Sequence, residues 1–224
     1  MVRNGGEPFR YHRPVSSTPG RQPLRRDAIV EAARELISTR GLDRLTLRGL
    51  AQVFGVSAPA LYAHFADKNE LLRAVAEREF DTLIARYEQI AADLDGESAL
   101  ERIRAQGRHY VQLARTDPEL FRVMFLFPPD FGAVGTIPPG AELPAATRAL
   151  NLAIDAVRDA IDEGAIDAED PLMPAMALWA GAHGVANIFL LDLDLAGAFG
   201  DSFIDEVTDR TLAGYGATTP ARST

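Results

Sequence analysis

The chain has no cysteine among its 224 residues, which excludes disulfides, thiolate catalysis and cysteine-based zinc sites together and fits a reducing compartment. Lysine is almost absent too: Lys68 is alone among 23 basic residues, a skew that looks genomic rather than mechanistic. No run of about 18 apolar residues offers a membrane span, and the opening MVRNGGEPFRYHRPVSSTPGRQPLRR contains no apolar core for a signal peptide. Strand patterning and internal repeats are missing. So are the catalytic signatures GxSxG, the P-loop, GxGxxG after a strand and HExxH. His109 and His183 fall on different predicted helices with no nucleophile paired to either. These absences predict a soluble, cytoplasmic chain without metal or other cofactor, and not an enzyme.

What remains is helix. With 47% hydrophobic and 25% charged residues the chain is long enough for one or two packed units. Residues 1–23, rich in Pro, Gly, Ser and Arg without a period, predict a mobile basic arm. A first helix is expected over Arg25–Arg40, with Ile29, Ala32, Ala33, Leu36 and Ile37 as its apolar stripe and Gly41 ending it. Thr46 and Ser57 are good N-caps for a second and a third helix, Pro59 being tolerated in a first turn. Asp67 caps a fourth, with Glu70 as capping-box partner. Further helices are expected over about 97–116, 118–127, 144–163, 171–195 and 201–214. The fold class is all-α, with a small helical domain at 24–69, a larger helical domain at 70–216 and a tail at 217–224.

The net charge of −9 argues against nucleic acid until its distribution is read. Residues 1–69 hold 11 Lys/Arg against 6 Asp/Glu, and residues 70–224 hold 12 against 26. A basic N-terminal part on an acidic body is what a phosphate-binding module on a non-binding body looks like. Within it, Leu50, Val53, Val56, Leu61 and Phe65 have the spacing of one small core shared with the first helix, and Gly55 suits a tight turn between two helices too short to stand alone. That is a helix-turn-helix, whose second helix enters the major groove. Arg48, Tyr62, His64 and Lys68 are left on its outer side.

The stretch TLRGLAQVFGVSAPALYAHFADKNELL resembles the DNA-binding domain of the TetR family of bacterial transcriptional regulators over about Leu24–Ala76. The resemblance implies that Thr46, Ser57, Tyr62 and Lys68 hold the phosphate backbone, and that Arg48, Ala58, Pro59, Ala60 and His64 face bases or lie beside them. Gly49 departs from the better helix formers usual there. Further on, HYVQLARTDPELFRVMF and ALWAGAHGVANIF resemble the regulatory domains named for a Trp-His-Gly motif, here Trp179, His183 and Gly184. That implies a helical ligand-binding domain whose last two helices form a four-helix bundle in a homodimer.

On a helical wheel Ala177, Gly181, Gly184 and Ile188 share a face of small residues suited to close helix packing, opposite Trp179, His183, Ala186 and Leu190. The bulky face, with Tyr110, Phe121, Met124, Phe125 and Phe127, is a candidate lining for a ligand pocket, or else plain core. Asp192 and Asp194 read as a helix end rather than a metal site. The expected function is a homodimeric repressor on palindromic double-stranded DNA, released by a small apolar or amphipathic effector, with no membrane partner. An architectural DNA-binding protein with no effector is the rival class, and it leaves the apolar helices of 70–216 without a purpose.

Overall fold

The computed structural model describes residues 24–126, 143–191 and 202–217. The arm 1–23, nearly all of the tail, Phe127, Asp192 and Asp194 lie outside them. The described residues form helices and no strand: α1 Arg26–Arg40, α2 Leu47–Phe54, α3 Ala58–Tyr62, α4 Lys68–Asp93, α5 Ala99–Thr116, α6 Pro118–Met124, α7 Pro144–Asp162, α8 Leu172–Leu190 and α9 Ser202–Ala213. They divide into two compact units between Val75 and Ala76, inside α4 and past the expected 69/70 boundary.

In the first unit each helix end has a local chemical cause. Gly41, at φ 85, stops α1 as its N–H donates to the Ile37 carbonyl at 2.8 Å. Thr46 caps α2, its Oγ1 accepting from the Gly49 N–H at 3.0 Å. A Cβ at position 49 would stand 3.0 Å from that same oxygen, which accounts for glycine where a better helix former is expected. Gly55 takes the left-handed conformation (φ 63) that closes the turn between α2 and α3. Ser57 occupies the N-cap position of α3 but its hydroxyl makes no cap bond. Pro59 has no N–H to offer there, and the Ala60 N–H donates to the Ser57 carbonyl instead. Asp67 caps α4 through the Glu70 N–H, and Glu70 reaches back to the Ala66 N–H, one residue before the expected capping-box partner. Leu50, Leu61 and Phe65 are fully buried, as their spacing predicts, while Val53 and Val56 are half-buried.

In the second unit α5 packs against α7, α8 and α9. Ala99, Ile103, Val157, Ala160, Ala175 and Leu212 make a continuous apolar core there. One glycine lets helices close up: a Cβ on Gly181 would meet Val207 Cγ1 at 2.8 Å, whereas one on Gly107 would meet Thr208 Oγ1 at an ordinary 3.5 Å. Arg104 is buried in the middle of α5, with its guanidinium 2.7 Å from Asp209 on α9 and 2.8 Å from Glu101. Arg102 ties α5 to α7 through Asp159 at 3.0 Å and Glu163 at 3.5 Å. Against the expectation of no such run, α8 is long and apolar enough to cross a membrane, with a mean hydropathy of 1.2. No unbroken apolar stretch exists because His183 and Asn187 interrupt it, but Ala, Leu, Met and Phe raise the average.

Candidate nucleic-acid interface and ligand cavity

The outer side of the first unit is defined by which polar groups the fold has left unused. Thr46, Arg48, Ser57, Pro59 and Tyr62 are exposed, Tyr62 at 50%, and Ala58, Ala60, His64 and Lys68 are half-buried. Arg25 faces Asp27, and Arg26 lies 4.4 Å over the Phe65 ring and near Glu70. Arg44 and Arg48, by contrast, have no acidic or carbonyl partner among the described residues. Cations on a helix-turn-helix with nothing of their own to neutralise are free to meet phosphate or a base edge. Lys68 also has a partner within the chain: its Nζ donates to the Leu42 carbonyl at 3.1 Å, tying the start of α4 to the turn after α1. That bond leaves two of its three protons for another acceptor.

The second unit has a wider recess of about 350 Å³ bordered by Arg86, Arg108, His109 and Arg115, and two small, apolar-lined chambers that open partly to solvent. One, of about 60 Å³, is bordered by Ile103, Gln106, Gly107, Leu178 and Thr208. The other, of about 40 Å³, is bordered by Phe80, Leu83, Phe125 and Leu150. Tyr87, Tyr110, Ala153 and Trp179 border both and form the partition. Beside it lies an aromatic cluster in which His183 stacks on Trp179 (5.4 Å between centroids) and meets Phe125 edge-on at 4.7 Å. Trp179 Nε1–H donates to the Tyr110 hydroxyl at 3.2 Å, and that hydroxyl lies 2.9 Å from His183 Nδ1. All three are satisfied if the one Tyr110 proton goes to a neutral imidazole. Burial pushes the His183 pKa below its ordinary value, which favours that form.

Residues 29–75 match the family described as bacterial regulatory proteins, tetR family, and residues 103–215 match the tetracyclin repressor-like C-terminal domain. The chain belongs to the TetR family. An uncharacterised HTH-type transcriptional regulator of Mycobacterium tuberculosis is 28% identical over 93% of this chain and 87% of its own length. The class D tetracycline repressor of Escherichia coli is 39% identical over 75 residues, only 34% of this chain and 33% of that protein. A solved structure of a protein of unknown function from Rhodococcus superposes with a TM-score of 0.71 at 26% identity, over 89% of this chain and 99% of that one. The chain is thus a TetR-type transcriptional regulator with a helix-turn-helix and a helical C-terminal domain.

Within this TetR fold, the sequence-expected DNA residues from Thr46 to His64 lie on α2, α3 and the turns flanking them, and Lys68 is the first residue of α4. The expected pocket residues separate. Tyr110 and Trp179 border both chambers and Phe125 borders the smaller. Phe121 and Met124 are fully buried and, like His183, border neither. Four residues escaped sequence reasoning: Arg44, Tyr87, Gln106 and Thr208. For two of them a signal exists, since Gln106 lies on the stripe of Ile103 and Tyr110, and Thr208 on that of Ile204 and Leu212. A polar side chain at a core-facing position of an amphipathic helix is the informative anomaly.

Proposed function

We propose that this regulator binds a palindromic operator as a homodimer, most naturally as a repressor, and that a small apolar or amphipathic molecule held in the second unit releases it. The observation that carries the DNA reading is the pair Arg44 and Arg48, unpartnered among the described residues, beside exposed Thr46, Ser57 and Tyr62, within residues 1–69, which hold 11 basic against 6 acidic residues. Thr46, Ser57, Tyr62 and Lys68 hold phosphates, and Arg48, Ala58, Pro59, Ala60 and His64 lie at the bases. The arm adds Arg3, Arg10, Arg13 and Arg21.

Support for the dimer comes from α8. Only 28% of its apolar window is buried, and Met173, Ala180, Gly184, Asn187 and Leu191 make one exposed stripe along it. An apolar helix face of that kind suits a second copy of the chain. The Trp-His-Gly subgroup fits Trp179, His183 and Gly184 in their places on α8. Effector release follows if the ligand-bound dimer no longer sets its two α3 helices one helical turn of DNA, about 34 Å, or a multiple apart.

Selection of purified protein against random duplexes tests the reading. A two-fold symmetric motif is expected, and Arg48→Ala should lose discrimination at one position of each half-site, by about 1–3 kcal/mol. Recovery of no symmetric motif, or an Arg48→Ala protein with unaltered sequence preference, refutes it.

A further inference from the structure

The polar side chains around the two chambers fall into two groups. Trp179 and Tyr110 are committed to each other and to His183. Tyr87, Gln106 and Thr208, which are 7%, 9% and 5% exposed, make no hydrogen bond to any described residue. They come from α4, α5 and α9, and all three border the larger chamber. No polar atom sealed from solvent is left unpaired, so what these three reach is the space they line.

An unpaired buried polar group costs roughly 1–3 kcal/mol, and native folds keep few of them. Three converging on one chamber open to water present it with donors and acceptors that no described residue uses, ready for a solute that displaces that water. Neither chamber is bordered by Asp, Glu, Lys, Arg or His, so an ionised molecule would lose its hydration and gain no counter-charge. Burial pushes the Tyr87 phenol pKa up, which keeps it protonated and a donor. Gln106 and Thr208 both donate and accept.

We propose that Tyr87, Gln106 and Thr208 bind the polar atoms of an uncharged ligand that carries hydroxyl or carbonyl groups on an apolar frame. The proposal rests on the second unit being ligand-responsive, and it names the chemistry that unit takes. The frame occupies the smaller chamber, between Phe80, Leu83, Phe125 and Leu150. At about 60 and 40 Å³, neither chamber alone matches the roughly 150 Å³ cavity that accepts a benzene ring. A ring therefore spans both, with the Tyr87 or Trp179 side chain in the partition turned aside. Trp179, the only tryptophan, reports that movement.

Titrations of the full chain, followed by Trp179 fluorescence and by melting temperature, use 4-ethylphenol, its hydroxyl-free counterpart ethylbenzene, and the anion 4-ethylbenzoate. The phenol should bind about tenfold more tightly than ethylbenzene, the equivalent of one good hydrogen bond, and the benzoate should leave both signals unchanged. Tyr87→Phe, Gln106→Leu and Thr208→Val should erode the phenol's advantage, leave ethylbenzene unaffected, and hold or raise the ligand-free melting temperature. Gly107→Ala, whose new methyl meets Thr208 Oγ1 at an ordinary 3.5 Å, should fold and weaken both neutral probes by narrowing the chamber. Equal affinity for phenol and hydrocarbon overturns the polar-ligand proposal while leaving a ligand pocket in place. So does a set of three variants that melt lower and keep the phenol preference. Failure of both neutral probes to bind removes the pocket reading itself.

Discussion

Replacing Arg104 with methionine isolates the contribution of one buried charge to the second unit. Its side chain is 6% exposed and lies 2.7 Å from Asp209 and 2.8 Å from Glu101, so it links α5 to α9 in the body that holds both chambers. Methionine retains most of the stem's packing and removes the guanidinium. Breaking a buried pair costs about 3–5 kcal/mol because the partner is left charged and unpaired. Here Asp209 keeps 16% and Glu101 43% of its side-chain surface exposed, so water relieves part of that loss and the low end, about 3 kcal/mol, applies. For a body of this size each kcal/mol shifts the melting temperature by roughly 2–4 °C, which puts the expected drop at about 6–12 °C. Trp179 lies in the same unit and reports its unfolding separately from the first. The double variant Arg104→Met/Asp209→Leu should recover most of the loss, since an apolar replacement of a buried pair is often neutral. A single variant melting within about 2 °C of the parent would refute the assignment, as would a double variant less stable than the single one.

Lys68→Met should lower the slope of log K against log salt by about 0.9 if its free protons reach a phosphate. An unchanged slope with weaker folding of the first unit would make the ammonium a tether to Leu42 and nothing more. The pH profile has a sign fixed by two histidines. Burial lowers the pKa of His183 below 6.5, and burial followed by the Arg86 charge lowers that of His109. The unfolded chain therefore binds their protons first, so stability is full above about pH 6.5, falls as pH drops through that value and levels off below the two folded-state pKa values. Denaturant titrations from pH 8 to 5 check this, and His183→Asn should flatten the fall; a profile that rises on acidification refutes it.

The DNA-binding half was legible in the sequence because its determinants are local. Thr46, Gly55, Ser57 and Asp67 punctuate the chain within a few residues of the helices they start or stop, and the Leu50–Leu61–Phe65 spacing needs no distant partner. What local reading misjudged there also has a local physical cause. Ser57 sits at a cap position, but the proline two residues on removes the amide it would have served. For Lys68 the fold adds what no local reading could supply, the Leu42 carbonyl within its reach. The ligand chambers were half legible. Aromatic and sulfur side chains mark apolar volume without saying whether it is filled, so Trp179 and Phe121 look alike in sequence and differ in the fold. Tyr87, Gln106 and Thr208 are brought together by three helices far apart along the chain, a convergence no periodicity encodes.

Helix α8 shows how one composition serves opposing demands. Its small-residue face was expected to admit a neighbouring helix, and at Gly181 it does so inside the chain, where a Cβ would collide with Val207 of α9 at 2.8 Å. At Gly184, less than a turn further, a Cβ would meet nothing within 4 Å, and the residue is exposed. Packing among the described residues therefore accounts for one glycine and not the other. A glycine inside a helix costs about 1 kcal/mol relative to alanine, and no described residue packs against position 184 to account for it. The same stripe carries Met173 at 66% and Leu191 at 55% exposure, large apolar surface that the described residues leave uncovered. Within one helix, then, Trp179 borders the chambers while Gly184 lies on the exposed stripe proposed above for a second copy. A ligand that moves the Trp179 side chain acts on the helix that would carry the dimer contact, with no intervening element to transmit the change.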